Sequence, residues 1–463
     1  MPRCTGDEMT DAATADLAGV DRDVARAFAA WSRWRARLDA DPVANADEHP
    51  IETYRRVAGQ STWRELGALD VMTHDAPLRD ALRRWIHALL QARLGRDLDV
   101  AWARAAIDPR GHFHGEAPRL VAWREAWRGI VESRGSGEAD RWLDAAVECA
   151  PPLASIARER AARRVEIAYR LGLDHPSCEA TLVPLGTLRA AAHALLARTD
   201  DIAAHVQREA PGDASSPRST DLIRLVVARD AGDGWPTRVT ARWLDELFGV
   251  GAKGLDIALP RLPATVGASS FARALGAFGF ALRVAAGARS PRFALAREPA
   301  FVGAHRFAFV FGSLASSADF HRVALHTGRR VALGQARALA RTALVDARVH
   351  AARFLLTDET SFARRDLFEE LTARVFGAPL PTALAGAWPA PREDEAARLL
   401  ALVTALPLLR DLVDRFDSDW FANPRALPHL RAIGAVPARE ETRELDADAT
   451  ATALARSFEE ALA

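Results

Sequence analysis

Apolar residues recur at three- and four-residue spacing through most of this chain, and this periodicity restricts the fold more than any other feature. The pattern is clear in five stretches: Val24–Leu38, Leu78–Leu94, Val121–Ile130, Ile156–Leu171 and Leu185–Val206. It is the signature of amphipathic helices, and Ala, Leu, Arg and Glu, which favour helix, are abundant throughout. Strand-like pieces are short, such as residues 222–227. The sequence therefore predicts an all-α protein with few or no strands.

Two turn-rich stretches interrupt the helical pattern. The first, around Pro211–Ser219, is rich in Pro, Gly, Ser and Asp and shows no periodicity, and the second runs from Gly377 to Pro391. A charged tail with a short helix near Thr450–Ala461 ends the chain, and Met9 is a candidate start. We expect a flexible N-terminus (1–20), an N-terminal helical region (21–210), a linker or loop (211–220), a second helical region (221–437) and a charged C-terminal segment (438–463).

The overall charge and the cysteine content exclude several classes of protein. The chain has 463 residues, with 61 basic and 61 acidic side chains, and this balance argues against a nucleic-acid-binding protein. Lys253 is the only lysine, which is typical of a GC-rich genome, and we expect a bacterial source. Three cysteines without metal-type spacing indicate a reducing cytoplasm. The acidic N-terminus lacks an apolar signal segment, and no long uncharged apolar run predicts a membrane span.

Four segments of the C-terminal half carry a resemblance to a known family. They are Arg229–Pro236, the apolar helix Ser269–Arg283, Ala304–Phe311, and Leu406–Pro424 with its Trp-Phe-Ala-Asn-Pro close. In order and spacing they resemble the helical gluzincin zinc metallopeptidases of the oligoendopeptidase, thimet oligopeptidase, angiotensin-converting and thermostable carboxypeptidase types. The resemblance covers about residues 221–430. It implies a large helical scaffold with two helical halves around a central channel.

The same resemblance implies that the zinc motif is degenerate. The family's H-E-x-x-H places two zinc-binding histidines one helical turn apart, with a catalytic glutamate between them. Gly276, Ala277 and Phe280 stand in those positions, and His305 stands in place of the glutamate that is the third zinc ligand. The family's oxyanion-stabilising tyrosine is missing as well, because both tyrosines of this chain lie upstream. We therefore expect no zinc and no catalytic residue, and an active peptidase would need a nonstandard metal site.

Three functions are compatible with these residues. The leading hypothesis is an inactive pseudo-peptidase that binds a peptide or small ligand in the former active-site channel. Its lining is expected to include Gly276, Ala277, Phe280, His305 and Arg306. A second hypothesis is a different enzyme in which His305 works with Arg306, His321 or Asp319, since histidine titrates near neutral pH. A third is a protein-interaction scaffold whose channel has collapsed around Phe280.

Other candidate sites are weaker on the sequence alone. His112-Phe113-His114, followed by Glu116, is an H-x-H pattern that we expect to lie in a loop. His321 and His326 stand about 140° apart on a helix, which is poor geometry for shared metal ligation. The pair Trp123 and Trp127 has helical spacing, which favours a packing role over a ligand groove, and its exposure decides between them.

Overall fold

A computed structural model describes most of the chain. The described residues are 16–45, 50–69, 75–133, 135–177, 183–209, 218–225, 239–248, 268–288, 291–357, 364–390, 392, 394–435 and 445–463. The first of the four family-like segments, residues 229–236, lies outside them, as do Met9 and two of the three cysteines. The third cysteine, Cys149, is a buried free thiol.

The described residues are predominantly α-helical, as the periodicity predicts. The first ten helices are α1 Leu17–Ala40, α2 Gln60–Ala68, α3 Ala76–Leu94, α4 Arg96–Ala105, α5 Trp123–Glu132, α6 Ser136–Arg170, α7 Leu185–Arg198, α8 Asp200–Glu209, α9 Ser219–Leu225 and α10 Ala241–Phe248. The remainder are α11 Ala268–Gly287, α12 Phe293–Ala296, α13 Val302–Ser313, α14 Ala318–Val323, α15 Arg329–Thr357, α16 Arg365–Phe376, α17 Glu395–Phe416, α18 Ala426–Ala435 and α19 Ala447–Leu462. Short 3-10 turns occur at Glu52–Tyr54, Leu314–Ser316, Thr382–Leu384 and Trp420–Ala422.

Local sequence signals explain where several helices begin and end. Asp16, Asp75 and Asp446 each accept a hydrogen bond from a backbone N–H in the first turn of α1, α3 and α19. Such side chains satisfy donors that have no partner inside the helix. At the other end of α16, Gly377 adopts a left-handed conformation with φ of 73°, which ends that helix.

Helices α15 and α17 each contribute residues to two apolar clusters. The largest cluster joins residues of both predicted helical regions, from Leu188 of α7 to Phe354 of α15 and Leu400 of α17. A second cluster surrounds α11, α13 and α18, and α15 and α17 contribute to it through Leu339 and Leu412. The two predicted regions therefore share the interior of the largest cluster, whereas α1–α3 pack in a separate cluster that includes Ala294.

The structure corrects several local expectations. His112 lies in a strand rather than a loop, because β1 Gly111–Phe113 pairs antiparallel with β2 Arg119–Val121. Residues 222–225 of the strand-like piece are helical, within α9. Helix α6 begins at Ser136 and continues through Pro151 and Pro152, although proline lacks the N–H that an interior position needs.

Other boundaries also shift relative to the sequence pattern. The periodic stretch 185–206 forms two helices that meet at Thr199. Residues 17–20, in the segment expected to be flexible, already belong to α1, and α9 begins inside the expected linker. Across the described residues, no helix combines the length and apolar character needed to cross a membrane.

Candidate functional site

Helices α11 and α13 lie in direct contact, and glycines make the approach possible. A Cβ added at Gly279 would lie 2.5 Å from the carbonyl oxygen of Phe307, closer than any real side chain tolerates. A Cβ at Gly276 would lie 3.1 Å from the carbonyl oxygen of Ala308. The backbone of α13 therefore occupies the space into which side chains from these two positions of α11 would extend.

Replacing these glycines with alanine is expected to give graded effects on stability. Gly279→Ala should lower the free energy of unfolding by about 1–3 kcal/mol, because α13 has to move. Gly276→Ala should be close to neutral, since a small shift is opposed by the better helix propensity of alanine. Gly334→Ala on the exposed face of α15, where nothing lies within 4 Å, is the control and should stabilise by up to about 1 kcal/mol. Urea unfolding measures all three, and equal effects at 276, 279 and 334 would contradict the close contact.

Phe280 and His305 meet across the same helix pair. Their ring centroids are 5.3 Å apart, and Phe280 also lies 5.5 Å from the ring of Phe301. Phe301 precedes α13 in a left-handed conformation with φ of 54°, a conformation that costs energy for a bulky residue and is concentrated at functional sites. The structure thus brings together Phe280 and His305, two of the positions that the sequence resemblance aligns with zinc-motif residues.

His305 belongs to a polar triad with the first turn of α17. Its Nε2 lies 3.2 Å from Oδ2 of Asp394, and the same oxygen accepts a hydrogen bond from Nε of Arg398 at 2.8 Å. Burial opposes the ionisation of Asp394, but the hydrogen bond from His305 and the charges of Arg398 and Arg392 outweigh it and hold the pKa of Asp394 below its usual range. Asp394 is therefore a carboxylate at neutral pH.

The charge states of the triad fix the position of the histidine proton. Burial lowers the pKa of His305 below its ordinary 6.5, with the hydrogen bond to Asp394 opposing the shift and Arg398 adding to it. A neutral imidazole beside a carboxylate donates through Nε2, so Nδ1 carries the lone pair. The triad can therefore accept a proton or a hydrogen bond at Nδ1 of His305.

A polar stripe on α15 faces this triad. Asp346, His350, Arg353 and Thr357 are spaced four, three and four residues apart, which places them on one face of the helix. The ring of His350 lies edge-on to that of Phe309 on α13, with centroids 5.4 Å apart. Arg353 is buried and the other three side chains are partly buried, and polar groups are costly to bury without partners.

Two residues of the stripe have strongly shifted pKa values. Burial, together with the positive charges of Arg398, Arg353 and Arg392, lowers the pKa of His350 from 6.5 to about 3. Burial raises the pKa of Asp346 from 3.8 to about 6, although Arg273 on α11 opposes the shift. Strongly perturbed titratable groups are typical of functional sites.

Arg353 links the stripe to α17 through a buried ion pair. Oε1 of Glu395 accepts hydrogen bonds from Nε of Arg353 at 2.8 Å and from Nη2 at 2.5 Å. The Glu395 side chain is only 3% exposed. Arg392 lies at the edge of this pair, 4.0 Å from Glu395, and its side chain is 47% exposed.

Two other residues singled out on the sequence adjoin this site, and His321 lies on a different helix. Ala277 is partly buried beside Gly276 on α11, and Arg306 is buried next to His305 on α13. His321 is fully buried on α14, where its Nε2 donates to the carbonyl oxygen of Ala315 at 2.7 Å. His321 therefore connects α14 to the preceding 3-10 turn.

The remaining candidate clusters also resolve into structural contacts. Asp319 pairs with Arg322 on the same helix, and His326 is exposed in a left-handed conformation. His112 contacts Glu148 on α6, with Nδ1 2.7 Å from Oε2, and Glu116 is exposed. Within the described part of the chain, no group of three or more His, Cys, Asp or Glu side chains could hold a metal ion.

The paired tryptophans of α5 are packing residues. Trp123 is buried, and Trp127 stacks on it with ring centroids 5.6 Å apart. Trp388 continues the stack on the other side, 6.2 Å from Trp127. The expected packing role is thus favoured over an exposed groove.

Sequence reasoning missed the residues that give the site its charge. Asp346 and His350 have no motif around them and lie in a long helix with little amphipathic contrast. Asp394 and Arg398 show a recognisable signal, an acid and a base four residues apart at a helix start, but such pairs are common on exposed helices. The position of this pair opposite His305 is visible only in the folded chain.

Comparisons with solved structures identify the fold. The chain superimposes on PZ peptidase A, solved with an inhibitor, with a TM-score of 0.62 and 11% identity, covering 97% of both chains. A candidate oligoendopeptidase F gives a TM-score of 0.62 at 12% identity, again over 97% of both chains. A candidate peptidase from Chlamydophila abortus gives 0.54 at 10% identity over 86% of this chain and 81% of the other. This chain therefore has the large helical oligoendopeptidase fold.

No protein-family model and no curated protein matches the sequence of this chain. The TM-scores establish a common fold, and at identities of 10–12% the chemistry has to be argued from the residues themselves.

Zinc, which the resemblance associates with this fold, does not fit the residues present. A zinc site needs three protein donors and an open position for water. Gly276, Ala277 and Phe280 have no donor atom in their side chains. His305 is the one donor among the four positions, and its Nε2 already contacts Asp394.

Proposed function

We propose that this chain is a catalytically inactive pseudo-peptidase of the gluzincin type, and that it binds a peptide or small ligand in the former active-site channel. The observation that carries the proposal is the contact of Phe280 with His305 at the place where the resemblance puts the metal. An apolar ring and a helix–helix contact fill that place. We also propose a cytoplasmic location, which the sparse cysteine content supports.

The polar stripe supports a retained binding role. A scaffold that had lost every function would be under no constraint to keep Asp346 and His350 inside, because replacing them with apolar residues removes a desolvation cost. The nitrogen Nδ1 of His350 is buried and has no hydrogen-bond partner among the described residues. A ligand in the former active-site channel could supply that partner.

A second candidate function is an enzyme that uses His305 as an acid–base group. The observation in its favour is the neutral His305 held by the carboxylate of Asp394, an arrangement that orients an imidazole for proton transfer. A second triad with the same composition lies at the other end of α17, where Asp411 contacts His429 at 3.3 Å and Arg415 at 2.7 Å. This second triad is a natural internal control.

Metal analysis and peptide assays on the purified full chain test the proposal. We expect far less than one equivalent of zinc per chain, no cleavage of a mixed peptide pool, and retention of part of that pool after ultrafiltration. Stoichiometric zinc together with chelator-sensitive hydrolysis would reject the inactive pseudo-peptidase.

Two matched variants separate the second candidate from the first. If a screen of ester and amide substrates finds turnover, His305→Asn should reduce it by about 10²–10⁴-fold, the usual contribution of a general acid or base. His429→Asn, at the control triad, should leave it unchanged. Turnover that survives His305→Asn would rule out the acid–base role of His305, and peptide retention without any turnover favours the binding protein.

A further inference from the structure

A cleft lies next to the buried ion pair of Arg353 and Glu395. It is narrow and partly open to solvent, with a cavity volume of about 10 Å³. Thr357, the last residue of the polar stripe on α15, lines it together with Glu395. The cleft thus lies at the C-terminal end of the polar stripe on α15.

Arginines from three separate segments converge on this cleft. They are Arg164 of α6, Arg189 of α7 and Arg392, which precedes α17. Glu395 is the one carboxylate among the described lining residues, and its Oε1 is held by Arg353. The guanidinium group is planar and always charged, and its fork of donors matches a carboxylate or phosphate.

The second oxygen of Glu395 adds a separate observation. Oε2 is fully buried and has no hydrogen-bond donor among the described residues. An ionised carboxylate oxygen in that position is costly unless a donor reaches it. The cleft therefore presents arginine donors and, beside them, an acceptor that an N–H group could satisfy.

We propose that this cleft binds the α-carboxylate of a ligand. Oε2 of Glu395 then accepts a hydrogen bond from the ligand nitrogen that is bonded to the same α-carbon. A peptide C-terminus and a free amino acid both present that pair of groups. This inference rests on the proposed binding function and names the end of the ligand that is recognised.

The neighbouring carboxylate favours this ligand over phosphate. Near neutral pH a phosphate carries between one and two negative charges, so Glu395 would repel it more than a singly charged carboxylate. An α-carboxylate carries one charge, and the nitrogen beside it can face Glu395 at the same time. Charge-assisted hydrogen bonds to arginine are the strong ones, and losing them should cost at least about tenfold in affinity.

Retention of defined peptide pools tests the inference. The full chain is incubated with an equimolar tripeptide pool that has free C-terminal carboxylates and, separately, with the same pool amidated. Retained peptides are counted by mass spectrometry after ultrafiltration. We expect the acid pool to be retained at least about tenfold more than the amide pool.

Arginine variants locate the carboxylate. Arg392→Gln should reduce retention of the acid pool to that of the amide pool, and the variant should fold because this side chain is 47% exposed. Arg198→Gln, an exposed arginine on α7 that pairs with Asp448, is the control and should retain the preference. A pool of free amino acids, retained in place of tripeptides, would identify the source of the carboxylate as a free amino acid.

Each contrary result has a distinct meaning. Retention of neither the tripeptides nor the amino acids overturns both the binding function and this inference. Equal retention of acid and amide pools leaves the binding function standing and overturns the carboxylate assignment. An acid preference that survives Arg392→Gln, or displacement of the peptides by equimolar inorganic phosphate, also overturns it.

Discussion

Replacing Arg353 with methionine is expected to lower the free energy of unfolding by about 3–5 kcal/mol, since it leaves the carboxylate of Glu395 buried without its cation. The pair is well shielded, because the side chain of Arg353 is 10% exposed and that of Glu395 is 3% exposed. Denaturant unfolding followed by tryptophan fluorescence measures the effect.

A double variant and a control distinguish the lost pairing from a general packing defect. Arg353→Met combined with Glu395→Leu should recover most of the stability, since an apolar pair of similar volume carries no desolvation cost. Arg415→Met, which breaks the exposed pair of Arg415 with Asp411 on the same helix, should cost no more than about 1 kcal/mol. If Arg353→Met costs no more than Arg415→Met, the interior pair is solvated and the cleft described above is wider than the structure indicates.

The helical fold could be predicted from the sequence because its signal is local. Stripes such as Leu78–Leu94 repeat a single geometric rule, and caps such as Asp75 mark the start of the helix. The close approach of α11 to α13 also has a local signal in the sequence, because Gly276 and Gly279 interrupt an apolar helix. The last helix, α19 Ala447–Leu462, was predicted within a few residues for the same reason.

The charged part of the site could not be predicted because it depends on contacts distant in sequence. His305 and Asp394 are 89 residues apart, and nothing in either neighbourhood indicates the other. His350 lies among alanines and arginines of α15, where its burial depends on the packing of α13 and α17. His112 of the H-x-H pattern was expected in a loop, and it lies in a strand instead. The pairing of β1 with β2 that forms this strand depends on residues after the turn.

The stability of the protein is expected to change little between about pH 4 and 6 through Asp346 and His350, although each residue alone would give a steep dependence. The pKa of His350 is about 3 in the folded protein and 6.5 when exposed. As the pH falls below 6.5, the unfolded chain binds a proton that the folded protein does not, so stability is lost on acidification. One proton gives a slope of at most about 1.4 kcal/mol per pH unit, and the partial solvent contact of both side chains lowers it further.

Asp346 contributes the opposite slope. Its pKa is about 6 in the folded protein and 3.8 when exposed. Between these values the folded protein holds a proton that the unfolded chain has released, so stability is lost as the pH rises. In the shared window the two slopes have equal size and opposite sign, and they cancel.

Single variants should therefore expose the hidden slopes. Asp346→Asn should be more stable than the unmodified chain at pH 8 by up to about 3 kcal/mol, and its advantage should shrink as the pH falls from 6 to 4. His350→Gln should gain stability relative to the unmodified chain as the pH falls from 6 to 4. Asp319→Asn, at a half-exposed carboxylate on α14, is the control and should track the unmodified chain. Unfolding free energies at pH 4, 5, 6 and 8 decide the matter, and parallel curves for all four proteins would show that the polar stripe of α15 is open to water and has ordinary pKa values.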